Sequence, residues 1–203
     1  MGRKKESRVL IISAPSGAGK STLVNHLLAS GLPLAFSVSA TSRKPRGSET
    51  DGREYYFIPA EEFRRRISRG EFVEWQEVYR NRYYGTLYSE LERIAAEGKT
   101  PLFDVDVMGG INLKKIFGDR ALAIFIMPPS VEELRSRLTK RGTDPEEDIE
   151  VRVRKAASEI LLACSFDRVI VNDDLGKSCD EITAAVKAVS YTHLRAHETV
   201  LDL

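Results

Sequence analysis

A short apolar run, Val9-Leu10-Ile11-Ile12, passes directly into Ala14-Pro15-Ser16-Gly17-Ala18-Gly19-Lys20-Ser21-Thr22, and from there into a helix-like segment ending near Ala29. Few folds accept that order. A buried strand that turns on two glycines straight into a helix belongs to a parallel sheet flanked by helices. The loop also has a chemistry. Gly17 and Gly19 let the backbone fold around an anion with no Cβ in the way, so that N–H groups can ring a polyphosphate. Lys20 brings a positive charge to the β and γ phosphates, the Ser21 hydroxyl suits Mg²⁺, and the helix after it adds the positive end of its dipole. Ala14 stands where the GxxxxGK[ST] pattern has its first glycine, which a methyl group tolerates at negative φ. A ligand-free glycine turn is the plain alternative, but strand, loop and helix all agree with a nucleoside triphosphate site.

At 203 residues, 42% hydrophobic and 30% charged, the chain is long enough for one large core with inserted subdomains. A net charge of +1 gives no global pull toward nucleic acid or membrane, so anion sites must be local. The basic start, Met1 to Arg8, leads into too short an apolar run for a signal peptide or membrane span, and a cytoplasmic protein is expected. Cys164 and Cys179 lack metal-ligand spacing and read as reduced structural thiols.

Four near-continuous apolar runs, Val9 to Ile12, Thr100 to Val105, Leu122 to Met127 and Arg168 to Val171, suit strands of a parallel sheet. Helical segments are expected over Ser21 to Ala29, Ser89 to Glu97, Gly109 to Ile116, Ser130 to Lys140, Ile149 to Cys164 and Leu175 to Val189. The expected fold is therefore α/β, a P-loop parallel sheet core over 8–36, 89–129 and 165–189. The interval 37–88 breaks the alternation. It holds most of the tyrosines, short β-like pieces, a short helix near Glu61 to Ser68 and the turn-forming stretch Pro45 to Gly52, and reads as an inserted α+β subdomain. Residues 130–164 form a lid with its flanking helices, the polar stretch Arg141 to Asp148 being a mobile loop. The last stretch, 190–203, fits nothing before it and reads as a tail, possibly non-native, such as a gene-assembly scar. Its His193 and His197 stand at a helical i, i+4 interval, but no third ligand accompanies them, so no metal site is expected there.

The inserted interval concentrates a second set of anion-binding groups. Arg43 and Arg46 flank Pro45, with Ser39 upstream and Tyr55, Tyr83 and Tyr84 downstream. Arginine forks hold a phosphate in bidentate fashion and tyrosine hydroxyls complete its oxygen shell, so a monophosphate is a fitting guest. Glu74, beside Trp75, is a candidate to accept the adjacent N1–H and 2-amino donors of a guanine ring.

Several runs carry a family resemblance: Ser37-Val38-Ser39-Ala40-Thr41-Ser42-Arg43-Lys44-Pro45-Arg46, Gly52-Arg53-Glu54-Tyr55-Tyr56-Phe57, Phe72-Val73-Glu74-Trp75, Tyr83-Tyr84-Gly85-Thr86, Asp104-Val105-Asp106 and Val169-Ile170-Val171-Asn172-Asp173-Asp174. In order, and with the phosphate loop, they resemble the bacterial-type guanylate kinases from Arg8 to Val189. The resemblance implies an ATP:GMP phosphotransferase of purine nucleotide metabolism, with ATP and GMP as partners, Mg²⁺ as cofactor and no nucleic acid or membrane. Monomer and homodimer both stay open. It further implies that Ser39, Arg43, Arg46, Tyr55 and Tyr84 hold the GMP phosphate, and that Glu74, Thr86 and Asp106 bind the guanine. Arg137, Arg141 and Arg152 would close over the transferring phosphate as catalytic residues with Lys20 and Arg43. Asn172 would sit at the adenine end, and Asp104, at a strand end, would hold a Mg²⁺ water. Met108 departs from the family pattern, where glutamine is common, and one extra residue lies between Glu74 and Tyr84.

Phosphoryl transfer to an already anionic GMP phosphate needs no general base; positioning and positive charge supply the catalysis, and closure excludes water. A scaffold module using the GMP site for phosphorylated peptides is the rival from another class, but such modules typically lose the loop lysine and lid arginines present here. A GTPase would carry an Asn-Lys-x-Asp motif, and this chain has none. A kinase for another monophosphate is the milder alternative, resting on whether Glu74 and Asp106 face the base.

Overall fold

The computed structural model describes residues 8–142 and 145–198, the side chains of Val78, Tyr79, Arg141 and 189–198 excepted. The chain divides into two compact units, Met1–Leu34 with Leu102–Leu203, and Ala35–Pro101.

The larger unit is built around strands β1 (Val9–Ser13), β7 (Thr100–Val105), β8 (Ala121–Met127) and β9 (Arg168–Val171), while the short edge strand β2 (Leu34–Phe36) falls at the boundary of the units; the sheet order is β2-β7-β1-β8-β9. β1 pairs in parallel with β7 on one side and β8 on the other, setting Ser13 opposite both Val105 and Phe125. Every residue of β1 is buried: Val9 to Ile12 form the unbroken apolar run expected of a strand covered on both faces, and the Ser13 hydroxyl donates to the Asp106 carbonyl at 3.2 Å. Ile11, Ile12, Leu102, Ile124, Phe125 and Ile126 are fully buried, each such side chain contributing about 1.5–3 kcal/mol of hydrophobic stabilisation. The strand-ends align because register is set by this apolar set, and the chain leaves β1 toward β7 but later crosses to β8. The loop after β1 thus opens at the switch point of the sheet, where α/β proteins bind ligands.

Helix α1 (Lys20–Ala29) follows that loop and buries Leu23, Val24 and Leu27. Helix α4 (Val107–Phe117) follows β7, its first turn capped by the Asp106 carboxylate, which accepts from the Gly109 N–H at 2.7 Å. Helices α5 (Val131–Arg141) and α6 (Glu146–Ile160) form a hairpin on a core of Leu134, Leu138, Ile149, Val153 and Ala156. Ser130 caps α5 by accepting from the Glu133 N–H at 3.0 Å. α6 begins three residues before its expected start at Ile149, because Pro145 at the N-cap and Glu146, Glu147 and Asp148 in the first turn favour a helix N-terminus. Helix α7 runs Leu175–Glu198, past the end expected at Val189. Ser190 to Glu198 holds neither glycine nor proline, so nothing stops the helix from propagating. The His193 and His197 side chains lie outside the described residues.

The smaller unit carries a four-stranded sheet of β3 (Ala40–Thr41), β4 (Tyr56–Phe57), β5 (Phe72–Tyr79) and β6 (Arg82–Leu87) in the order β4-β3-β6-β5, with helices α2 (Ala60–Ser68) and α3 (Tyr88–Ala96). The fully buried Phe63 stacks on Phe72 at 4.3 Å and on Tyr83 at 5.4 Å. Gly85 of β6 lies opposite Trp75, and a Cβ there would meet the Glu74 carbonyl oxygen at 2.6 Å. α3, expected with the core, belongs to this smaller unit. Cys164 and Cys179 are free thiols. Among the described residues, no helix is long and apolar enough to cross a membrane.

Candidate active site

In the larger unit the backbone of the loop is set by two left-handed glycines, Gly17 at φ 93° and Gly19 at φ 92°. Only glycine adopts that region without a Cβ penalty, and two such residues turn successive N–H groups toward one point. The turn is closed from within, where the Ala18 N–H donates to the Pro15 carbonyl at 3.2 Å, and tied from outside, where Asn172 Nδ2 donates to the Ala18 carbonyl at 2.8 Å. Asn172 is buried at the end of β9, so the side chain expected at the adenine end braces the loop itself. It also leaves no room at Gly19, where a Cβ would lie 2.2 Å from its Nδ2.

A cavity of about 690 Å³ opens beside this loop, lined by Gly17, Lys20 and Ser21 and by Arg137, Arg152 and Lys155. That volume suits a nucleotide-sized ligand. Lys20 Nζ lies 2.6 Å from Asp104 Oδ1 and donates to the Val105 carbonyl at 2.7 Å. The Asp104 Oδ1 atom is buried and otherwise makes no hydrogen bond, so its contact with Lys20 is one of charge. Arg137 Nη2 donates to the Asn172 carbonyl at 3.0 Å and Nε to Glu133 at 2.9 Å, while Arg152 Nη1 donates to Ser16 Oγ at 3.1 Å. Two of the three expected lid arginines are therefore anchored at the cavity; the Arg141 side chain lies outside the described residues. Asp106, expected at the guanine, belongs to this unit, lines the same cavity and caps α4.

In the smaller unit the Arg43 guanidinium lies over the Tyr55 ring at 4.9 Å and the Phe57 ring at 5.6 Å. Its Nη1 and Nη2 donate to the two carboxylate oxygens of Glu49 at 2.5 and 2.7 Å. Glu49 also accepts from the Arg46 N–H at 2.8 Å, so one carboxylate fixes the Arg43-Pro45-Arg46 turn. The Arg43 guanidinium holds the Glu49 carboxyl down to about 2, and Glu49 raises Arg43 further above its usual range. Tyr55 and Tyr84 meet edge to face at 5.9 Å. Burial, aided by Tyr84 and opposed by Arg43, pushes the Tyr55 hydroxyl up, which keeps it a neutral donor. Glu74 and Thr86 pair across β5 and β6, the buried Thr86 hydroxyl donating to Glu74 Oε1 at 3.0 Å. Ser39 precedes β3, and the Arg46 side chain is exposed.

Sequence reasoning missed Glu49, Lys155 and Glu90. Glu49 had a signal, an acid three residues beyond Arg46 in a turn. Glu90 and Arg93 read as a surface i, i+3 pair, and nothing local marks Glu90 as buried.

A parallel α/β sheet whose switch-point loop carries a Gly-x-Gly-Lys-Ser turn and a cavity ringed by basic side chains defines a P-loop nucleotide-binding protein. The guanylate kinase family model matches residues 6–189. The guanylate kinase of Porphyromonas gingivalis is 60% identical over 181 residues, covering 89% of this chain and 96% of that protein. That of Bacteroides thetaiotaomicron is 54% identical over 185 residues, covering 91% of each. The crystal structure of guanylate kinase from Anaplasma phagocytophilum superposes with a TM-score of 0.67 at 33% identity, covering 90% of this chain and 85% of that one. The chain belongs to the guanylate kinase family, whose members are ATP-dependent phosphotransferases.

Proposed function

We infer that the chain transfers the γ-phosphoryl group of ATP to GMP, giving ADP and GDP, and that it does so in the cytoplasm. The observation that carries this reading is the cavity at the β1–α1 loop, where Lys20, Arg137 and Arg152 line one wall system beside inward-turned glycines. Four cations, Lys20, Arg137, Arg152 and Lys155, line that one triphosphate-sized site, more than a scaffold that performs no transfer requires.

The loop from Ala14 to Thr22 holds the donor phosphates through backbone N–H groups and the N-terminus of α1, with Asn172 fixing the loop's shape. Lys20 moves from Asp104 to the β and γ oxygens, a short step for a flexible ammonium already at the cavity wall. Arg137, Arg152 and, by the family pattern alone, Arg141 stabilise the equatorial oxygens as charge spreads over them. Mg²⁺ fits the donor set: Ser21 and Asp104 offer hard oxygen ligands, and the otherwise unbonded Asp104 Oδ1 is suited to a metal-bound water. When bound, the ion neutralises charge on the β and γ phosphates.

Acceptor binding falls to the smaller unit. Arg43, whose Nη1 and Nη2 are spanned by Glu49, offers its remaining edge to the GMP phosphate, joined by Arg46, Ser39, Tyr55 and Tyr84. Glu74, oriented by Thr86, accepts from the guanine N1–H and 2-amino group, and Asp106 is assigned to the same base. Steady-state assays with GMP, AMP, UMP and CMP test the reading. GMP is expected to exceed the others by at least about 10³ in kcat/KM, since a site built around paired polar groups rejects mismatched ones strongly. An AMP value equal to that for GMP would refute the guanine assignment of Glu74 and Asp106.

A further inference from the structure

Glu90, at the start of α3, is 2% exposed, yet it is a carboxylate. Each of its oxygens accepts twice. Oε1 takes the Val38 N–H at 2.9 Å and Arg93 Nη2 at 2.8 Å; Oε2 takes the Tyr56 hydroxyl at 2.9 Å and Arg93 Nε at 3.0 Å. Burial alone would push this carboxyl up, but Arg93, the Val38 N–H and the Tyr56 hydroxyl outweigh it and hold it below its ordinary range. The group is therefore a saturated, ionised hub.

The two segments it joins matter more than its own burial. Val38 immediately precedes Ser39, and Tyr56 immediately follows Tyr55. The same segments are zipped by one ladder, Ala40 facing Tyr56 in parallel and Tyr56 N–H donating to the Ser39 carbonyl at 2.9 Å. β3 and β4 are two residues each, too short for backbone pairing alone to fix their separation and slide. A carboxylate that grips the main chain beside Ser39 and the side chain beside Tyr55 supplies what that short ladder lacks.

We propose that Glu90 is a positioning residue for the acceptor phosphate, holding the Ser39 and Tyr55 segments at the spacing one phosphate group bridges. This rests on the reading of Ser39 and Tyr55 as phosphate ligands. Glu90 acts through Val38 and Tyr56, and Arg93 acts as its counter-ion. An amide cannot replace it: Glu90→Gln turns one acceptor oxygen into an NH₂ that faces two donors.

The test is steady-state kinetics with ATP and GMP varied separately, below each variant's melting transition. Glu90→Gln is expected to raise KM for GMP about tenfold, and Tyr56→Phe about threefold, with KM for ATP unchanged, as loss of charge-assisted and single hydrogen bonds implies. The double variant should lose little more than Glu90→Gln alone, since both changes break one hub. A general structural role would move both KM values and kcat together, and that outcome, or no change in KM for GMP, overturns the proposal. If Glu90→Gln does not fold, Tyr56→Phe decides. Ser39→Ala and Tyr55→Phe separate the two readings: if they raise KM for GMP while Tyr56→Phe does not, only the positioning role fails. If neither moves it, the phosphate site itself is misassigned and the inference falls with it.

Discussion

Replacing Gly19 by alanine probes how the loop is held. Two costs are readable from the structure. At φ 92° a Cβ carries a steric penalty of roughly 1–2 kcal/mol. The new methyl would also lie 2.2 Å from Asn172 Nδ2, so the amide must leave the Ala18 carbonyl, a loss of about 1 kcal/mol for the hydrogen bond. The sum, about 2–3 kcal/mol, corresponds to a fall in Tm of roughly 5–10 °C for a chain of this size. Asn172→Ala alone should cost about 1–3 kcal/mol by leaving a buried carbonyl unpaired. The double variant is the decisive measurement. Because Gly19→Ala has already displaced the amide, adding Asn172→Ala should cost about 1 kcal/mol less than the sum of the two single changes. Thermal and urea unfolding read these values, and ATP titration reads the loop. Strict additivity, or a Gly19→Ala protein as stable as the parent with unchanged KM for ATP, would refute the argument that Asn172 and Gly19 share one space.

Lys20→Met keeps the apolar stem and removes the charge; kcat should fall about 10²–10³-fold, the usual loss for one preorganised transition-state contact, and a loss under about tenfold would exclude Lys20 from the reacting phosphate. Glu49→Gln should raise KM for GMP with KM for ATP unchanged, and equal effects on both would remove Glu49 from the acceptor site. The Glu49 carboxyl is depressed in the folded protein to about 2, so its contribution to stability is present above the unfolded value near 4.5 and is lost as pH falls through about 2. Acid unfolding profiles of the parent and Glu49→Gln should accordingly agree below about pH 2, separate as pH rises from there to about 4.5, and keep a constant gap above that.

Much of the donor site was legible because it is local. Strand, two glycines, Lys20 and helix are contiguous, so spacing alone predicts which groups meet an anion. The turn that carries Arg43 and Arg46, both candidates for the acceptor phosphate, was legible for the same reason, its residues being near neighbours. What escaped were partners distant in sequence or residues whose local pattern points elsewhere. Asn172 reaches Ala18 across 154 positions and Glu90 reaches Val38 across 52, and no periodicity encodes either contact. The length of α7 escaped too, because the change of composition after Val189 marks a boundary in the sequence without a residue that ends a helix.

By itself the sequence determined the parallel α/β core and the glycine-lysine loop after its first strand, and it offered a set of candidate phosphate-holding side chains, since each depends on residue type and near-neighbour spacing. Tertiary structure decided which of those side chains are free to meet a ligand and which serve to hold others. It set Lys20 on Asp104, gave one edge of Arg43 to Glu49, turned Asn172 inward to brace the loop and buried Glu90 as a saturated hub. The reason is that a charge loses its water when buried and must find partners wherever the fold supplies them, and folding supplies them from any distance along the chain.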